Sequence, residues 1–230
     1  YYIGNMEIGR LEKGKITFYN LDGDEIEKEL VEIKWDAEAA EKGGYEHFMM
    51  KEIHEQPKAV EDTLHSVLKD GRLDLSDVGL SDEEVKKISQ IYIVACGSAY
   101  HVGMVAQYVI EDLARIPVRV ELASEFRYRN PILDPNGLVI IISQSGETAD
   151  SLAALREAKK RGIATLGIVN VVGSSIAREA DHVFYTLAGP EIAVATTKAY
   201  STQLIASYVL AMQFGLVRGT LEENKYEELI

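Results

Sequence analysis

The residues with the clearest chemical meaning are three hydroxyls and a glycine within six positions of the sequence. Ser143, Ser145 and Thr148 stand with Gly146 in the run Ser-Gln-Ser-Gly-Glu-Thr. Hydroxyls donate hydrogen bonds to anion oxygens, and glycine lets the backbone approach closely. A helical pattern begins directly afterwards, and a helix N-terminus also favours negative charge. The turn, which includes Gln144, therefore predicts an anion site, with simple helix capping by Ser145 or Thr148 as the alternative.

A second turn of interest spans residues 96–101 and reads Cys-Gly-Ser-Ala-Tyr-His. Ser98 offers a hydroxyl and an N–H at the predicted start of a helix. Gly97 and Gly103 lack the third glycine that a dinucleotide-binding fingerprint requires, so that reading has little support. Cys96 has no evident activating base nearby, which favours a small buried hydrophobic residue over a nucleophile.

A third loop, residues 188–198, leads from the last predicted strand into a long apolar helix. Val194 can present backbone groups to a ligand, and Lys198 is the only cation in the three turns. Glu191 is either a polar contact or a solvated loop carboxylate, and one of the two adjacent threonines can simply cap the helix. The sequence shows no acid–base pair, catalytic triad or metal cluster, so the turns are expected to bind rather than catalyse.

The elements that must position these turns alternate in type from residue 90 onward, which predicts an α/β fold with a parallel sheet covered by helices. The expected strands are Ile91–Ala95, Val118–Leu122, Leu138–Ile142, Thr165–Val169 and His182–Tyr185. The expected helices are about Ala99–Ala114, Ala149–Arg161, Ser174–Arg178 and Thr197–Gly215. In such sheets ligands bind beyond the carboxyl ends of the strands, where the first two turns lie.

The first 90 residues are of a different kind. A short β-meander with tight turns is expected over residues 1–34, with strands at Ile8–Leu11, Lys15–Tyr19 and Glu25–Ile33. Residues 35–89 are expected to form a helical linker. Its predicted helices are Tyr45–Glu55 and Lys58–Lys69, separated at Gln56-Pro57, and a short helix after the Ser81 capping box.

Composition excludes several classes of protein. The chain has 230 residues, 47% of them hydrophobic, and a formal net charge of −13, which argues against nucleic acid as a partner. No window approaches the ~20 apolar residues of a membrane span. The single cysteine, Cys96, fits a reducing compartment. The start at Tyr1 has no signal-peptide pattern and no initiator methionine, so the chain is expected to be an excised piece.

Four separated phrases of the sequence resemble a known family. Residues 95–101, 124–129, 143–150 and 191–198 with the following Thr202-Gln203 resemble, in that order, the first sugar isomerase (SIS) domain of the glutamine–fructose-6-phosphate aminotransferase (glucosamine-6-phosphate synthase) family. Residues 45–57 are similar to the segment that links its glutaminase domain to its isomerase half. The resemblance implies a glutaminase remnant at 1–34, a linker at 35–89 and, at 90–230, a flavodoxin-like five-stranded SIS domain.

The resemblance also implies roles for residues. Fructose 6-phosphate would bind through its phosphate, and the residues expected to hold that phosphate are Ser143, Gln144, Ser145 and Thr148. The residues expected near the sugar are Ser98, Ala99, Glu191, Lys198 and Val194, the last through its backbone. Ala99 lacks the hydroxyl that relatives carry there. The glutaminase cysteine and the second SIS domain are not in this sequence, so no catalytic residue, metal or cofactor is expected in it.

By the same resemblance, the parent enzyme is a cytoplasmic homodimer that transfers glutamine-derived ammonia to fructose 6-phosphate and yields glucosamine 6-phosphate. Two alternatives stay open. One is a non-catalytic SIS-domain sensor that responds to sugar phosphates and controls a partner. The other is a flavodoxin-like FMN protein, although the sequence offers no aromatic stack for a flavin.

Overall fold

The computed structural model describes residues 1–30 and 41–230. The chain divides into two compact units, Tyr1–Trp35 and Asp36–Ile230. Each unit has its own sheet, and the candidate site lies in the second. No helix in the described ranges is long and apolar enough to cross a membrane.

The first unit is the predicted meander. It contains strands β1 (Ile8–Glu12), β2 (Lys15–Tyr19) and β3 (Glu25–Ile26), which pair antiparallel in the order β1-β2-β3. The prediction of a strand over Glu25–Ile33 is wrong for residues 27–30, because no neighbouring strand continues the ladder past the Phe18–Ile26 pair. Residues 31–33 of that prediction lie outside the described residues.

The second unit alternates helices and strands along most of its length. In chain order its elements are α1 (Phe48–His65), β4 (Leu68–Lys69), β5 (Arg72–Leu73), α2 (Asp82–Lys87), β6 (Gln90–Ala95), α3 (Ser98–Leu113), β7 (Val118–Leu122), α4 (Ala123–Phe126), β8 (Gly137–Ser143), α5 (Ala149–Lys160), β9 (Ala164–Val169), α6 (Ser175–Glu179), β10 (His182–Tyr185), α7 (Lys198–Arg218) and α8 (Glu223–Leu229).

Five of these strands form one parallel sheet in the order β10-β9-β8-β6-β7, which confirms the predicted architecture. Every residue of β8 is buried, as expected for a strand covered on both faces. Alternate side chains of β6 point to opposite faces of the sheet and belong to two hydrophobic cores. Ile91 and Ile93 pack with α3 and α7, whereas Tyr92 and Val94 pack with α4 and α5.

The chain moves from one side of β6 to the other between β7 and β8, so the β6–β8 pair is the switch point of strand order. Ala95 at the end of β6 is in register with Ile142, next to the last residue of β8. The two turns that follow these strands are therefore neighbours, at the edge where open α/β sheets bind ligands.

The helix predictions for residues 45–69 are wrong in two details. The first error is the expected break at Gln56-Pro57, because α1 continues through Pro57. Proline has no N–H to donate to the carbonyl four residues earlier, but the side-chain amide of Gln56 donates to that carbonyl, Ile53 O, at 3.1 Å. The second error is the helix end, because Leu68–Lys69 form β4, which pairs with β5 through Asp70-Gly71. Both turn residues have positive φ, as this hairpin dipeptide favours.

Candidate functional site

The predicted anion turn follows β8, and its own hydroxyls hold it together. Ser143 Oγ accepts the N–H of Gly146 at 3.1 Å and lies 3.0 Å from Thr148 Oγ1. Ser145 Oγ accepts the N–H of Glu147 at 3.2 Å. Thr148 stands at the N-cap of α5 without a side-chain capping bond, so the simple capping alternative does not describe it. The backbone of the turn is therefore fixed before any ligand arrives.

Gly146 lets the turn approach α6 closely. Its φ is +66°, and a Cβ at this position would lie 2.0 Å from Ser174 Oγ and 2.5 Å from Ser174 Cβ. The Gly146 carbonyl accepts the N–H of Ile176 at 3.0 Å, and Glu147 accepts the N–H of Ser175 at 2.7 Å. Only glycine fits this contact without strain, because other residues pay for positive φ as well as for the collision.

The second turn lies beside the first, at the end of β6. Gly97, with φ +57°, turns the chain into α3, which begins at Ser98. Ser98 is exposed, whereas Ala99 is buried. Cys96 is a free thiol of intermediate exposure that packs against the core and borders the same space, so the predicted burial of this residue is only partial.

Glu191 organises the third loop. Its carboxylate accepts hydrogen bonds from Thr196 Oγ1 at 3.0 Å, from the N–H of Thr197 at 2.9 Å and from the N–H of Ala199 at 3.2 Å. A threonine cap of α7 was the alternative for this loop, but Thr197 makes no side-chain capping bond. Glu191 is thus a half-buried partner of the helix N-terminus, where negative charge is favoured, and not a solvated loop carboxylate.

The structure does not bring Lys198 to the other predicted residues. Its Nζ donates to Glu55 Oε2 on α1 at 2.7 Å, and the residue is only 3% exposed. It borders a separate hollow that α1 forms with Gly189 and Pro190. The physical reason is that a buried ammonium needs a counter-charge, and Glu55 supplies one. The expectation that Lys198 would face the ligand is therefore corrected.

The three turns enclose a cavity of about 220 Å³. It is lined by Cys96, Ser98, Ala99, Ile142, Ser143, Gln144, Ser145, Thr148, Glu191, Ala193, Val194, Thr196 and Gln203. All the predicted phosphate residues, and all the predicted sugar residues except Lys198, border this one space. Val194 is fully exposed, so a ligand in the cavity can reach the loop backbone there.

The cavity has an electrostatic character set by dipoles. None of the described residues that line it is basic, and Cys96 and Glu191 are its titratable groups. Arg127, on the segment after α4, donates to Asp150 in the first turn of α5 at 2.7 Å, and this hydrogen bond raises the pKa of Arg127. Hydroxyls, amides and helix N-termini are left to stabilise an anion. This arrangement supports binding, since it offers no acid–base pair among the described lining residues.

Metal binding finds no support in the described ranges, which hold no group of three or more His, Cys, Asp or Glu side chains placed to share an ion.

Two residues near the cavity are not among the site residues that the sequence predicts. Gln203, on α7, is buried and lines the cavity. Glu52, on α1, accepts hydrogen bonds from two N–H groups of the third loop, those of Ile192 and Ala193. The sequence predicts only a helical linker around Glu52. The one sequence signal available was a glutamate three positions after Met49, where it borders the apolar stripe of the helix.

Comparisons with known proteins agree with this geometry. The SIS domain family matches residues 84–213. Along its whole length the chain is 56% identical to the glutamine–fructose-6-phosphate aminotransferase (isomerizing) of Caldanaerobacter subterraneus and also 56% identical to that of Clostridium tetani. The chain spans 38% of the length of each of these relatives.

Solved structures show the same likeness. The C-terminal domain of glucosamine-fructose-6-phosphate aminotransferase from Francisella tularensis superposes with a TM-score of 0.79 at 44% identity, over 82% of this chain and 53% of that one. A putative phosphosugar isomerase from Silicibacter pomeroyi superposes with a TM-score of 0.63 at 28% identity, over 79% of this chain and 54% of that one.

Proposed function

The chain belongs to the SIS-domain family, and from this membership we propose that its cavity binds the phosphate of fructose 6-phosphate. The observation that carries the proposal is the cavity at the carboxyl ends of β6 and β8, which the turn of residues 143–148 borders. Ser145 and Thr148 supply hydroxyls there, Gln144 supplies an amide, and the start of α5 supplies backbone N–H groups. Ser143, whose hydroxyl is engaged inside the turn, keeps its shape.

In this proposal the sugar lies between the second turn and the third loop. The backbone at Val194 and the hydroxyl of Ser98 contact the sugar. Ala99 adds no hydroxyl, so any contact there is apolar. Glu191 acts by fixing the loop through its bonds to the start of α7, and Lys198 takes no part because Glu55 holds it.

We further propose that the whole protein transfers ammonia from glutamine to fructose 6-phosphate and isomerises the product to glucosamine 6-phosphate. The support is the identity of 56% over the whole of this chain to relatives that carry the aminotransferase name. Within that reaction, the share of this chain is substrate binding, because its cavity presents hydrogen-bond donors and no acid–base pair among the described lining residues.

Titration with fructose 6-phosphate, followed by phosphorus and amide NMR shifts, tests the binding. Each charge-assisted hydrogen bond contributes about 1.5–3 kcal/mol before losses, so three or four give a dissociation constant of roughly millimolar to micromolar. Replacing Ser145 and Thr148 together by alanine should abolish the shifts. Ser89→Ala is the matched control, since Ser89 is exposed at the opposite, amino end of β6. A folded chain that gives no shift at tens of millimolar ligand refutes the proposal.

A non-catalytic sensor is the second candidate, and the lack of an acid–base pair among the described lining residues is the observation that favours it. The two candidates differ in turnover. The protein from the complete reading frame should convert glutamine and fructose 6-phosphate to glucosamine 6-phosphate if it is the enzyme. A sensor would bind the sugar phosphate and leave it unchanged.

We also propose that the complete protein is located in the cytoplasm and forms a homodimer. The free thiol of Cys96 supports a reducing compartment. Apolar side chains exposed on α3, among them Met104 and Tyr108, support self-association of the parent protein. Sedimentation of the complete protein tests the second point, and a monomer at micromolar concentration would contradict it.

A further inference from the structure

The face that α1 buries is polar. Glu52 is 2% exposed and Thr63 is fully buried, whereas Met49 and Ile53 are each 40% exposed. An amphipathic helix usually buries its apolar residues instead. Buried polar groups require partners, so the partners of this face show what the helix does.

Glu52 is bonded to the third loop of the cavity. Its Oε1 accepts the N–H of Ile192 at 2.7 Å and the N–H of Ala193 at 3.1 Å. Its Oε2 is also buried and has no hydrogen-bond partner among the described residues. Hydrogen bonds from backbone N–H groups to a carboxylate are stronger than those to neutral acceptors. One buried oxygen atom therefore fixes two consecutive peptide groups of the loop.

The loop needs this support, because it has little of its own. Residues 189–196 contain no helix or strand, and Val194 is fully exposed at the cavity mouth. Glu191 ties the loop to α7 on its far side. Glu52 ties it to α1 directly before Val194. The loop backbone at the cavity is thus held between two carboxylates from different parts of the chain.

We propose that Glu52 is a positioning residue for the sugar portion of the ligand: it holds residues 192 and 193 so that the backbone at Val194 meets the sugar. This inference rests on the proposed binding of fructose 6-phosphate. It adds a residue from α1, which lies outside the segment 84–213 that the SIS family matches. The functional unit of the site therefore includes the helix that precedes that segment.

The role proposed for Glu52 concerns the sugar portion of the ligand and not its phosphate. The phosphate turn, residues 143–148, makes hydrogen bonds within itself, with α5 and α6 and with the N–H of Asn170, and none of them involves Glu52. Loss of Glu52 should therefore weaken binding of a sugar phosphate while it leaves binding of inorganic phosphate unchanged. A residue needed only for folding would weaken both.

The experiment compares the 230-residue chain with Glu52→Gln, Glu52→Ala and Glu61→Gln, each titrated with fructose 6-phosphate and with inorganic phosphate. For Glu52→Ala we expect the dissociation constant of fructose 6-phosphate to rise about tenfold. This is the rise expected if the loop adopts its binding conformation in about a tenth of the molecules. The dissociation constant for Glu52→Gln should lie between those of the wild type and Glu52→Ala. The amide oxygen of the glutamine still accepts both N–H groups, while its NH₂ takes the place of Oε2. Glu61, exposed on the same helix, is the matched control and should change neither constant.

Amide hydrogen exchange provides a readout that needs no ligand. The N–H groups of Ile192 and Ala193 should exchange faster in both Glu52 variants than in the wild type, with unchanged protection in β8. Equal weakening of both ligands, or an unchanged constant for fructose 6-phosphate in Glu52→Gln with unchanged exchange, overturns the inference. If Glu52→Ala does not fold, Glu52→Gln decides. A wild-type chain that binds neither ligand refutes the proposed function instead, whatever the exchange rates show.

Discussion

Replacing Gly146 by alanine should separate the phosphate turn from α6. The new Cβ would lie 2.0 Å from Ser174 Oγ and 2.5 Å from Ser174 Cβ, both far inside van der Waals contact. Rotation of the serine side chain moves its Oγ but not its Cβ. The two backbones must therefore move apart, which stretches the hydrogen bond from the N–H of Ile176 to the Gly146 carbonyl.

The size of the effect follows from two causes. An L-residue at φ +66° costs about 1–2 kcal/mol. Overpacking of a close contact costs about 1–3 kcal/mol more. The free energy of unfolding of Gly146→Ala should therefore fall by about 2–5 kcal/mol, measured by urea unfolding followed by circular dichroism. Binding of fructose 6-phosphate should be lost at the same time, because the displaced turn carries the hydroxyls.

A double-mutant cycle separates the two causes. In a Ser174→Gly background both colliding atoms are gone, so Gly146→Ala should cost only the conformational part, about 1–2 kcal/mol. Ser174→Ala keeps the Cβ at 2.5 Å and should relieve the collision only in part. If Gly146→Ala costs the same in the wild-type and Ser174→Gly backgrounds, the collision is not what requires glycine there.

Two further substitutions test the scaffold. Burial raises the pKa of Asp181, but hydrogen bonds from Lys159 and Thr165 outweigh burial and leave the pKa below its ordinary value. A carboxylate of this kind stabilises the folded state at pH values above its pKa in the unfolded chain, which is about 4. The stabilisation is lost as the pH falls through its lower pKa in the folded state. Asp181→Asn should lower the free energy of unfolding by about 1 kcal/mol at pH 7, after allowance for partial exposure. The loss should become smaller towards pH 3. A difference between variant and wild type that does not change with pH would contradict the role of the Asp181 charge. Gly103→Ala in α3 should destabilise by about 1–3 kcal/mol in thermal unfolding, because its Cβ would lie 2.9 Å from Ile93 Cγ2; a gain in stability, as helix propensity alone predicts, would refute this.

The sheet and the position of the turn at residues 143–148 were predictable because their signals are local. The central strands of the parallel sheet are apolar runs with definite ends, and β8 is the clearest case. The hydroxyls of residues 143–148 follow it directly, so the carboxyl-end rule places them near Ser98 without knowledge of tertiary contacts. The hairpin at Asp70-Gly71 also had a local signal, but the helical pattern around it concealed it.

The errors at α1 and Lys198 have different origins, the first local and the second non-local. Proline usually breaks a helix, but the amide of Gln56 replaces the missing donor. Lys198 follows a loop that borders the cavity, but its side chain bonds with Glu55, 143 residues earlier. Glu52 likewise meets Ile192 from 140 residues away. Periodicity describes which residues share a face of a helix, and it carries no information about which distant segment meets that face.

The contacts of α1 also determine where this protein can be divided. Besides the bonds of Glu52 and Glu55, Thr63 donates to the carbonyl of Thr186, and Gln56 accepts the hydroxyl of Ser201 on α7. A shortened chain that starts at residue 84 would lose Glu55 and leave the ammonium of Lys198 without its counter-charge. The boundary of the family match at residue 84 thus separates α1 from the loop and the helix that its side chains hold in place, and a chain cut there would lose those contacts.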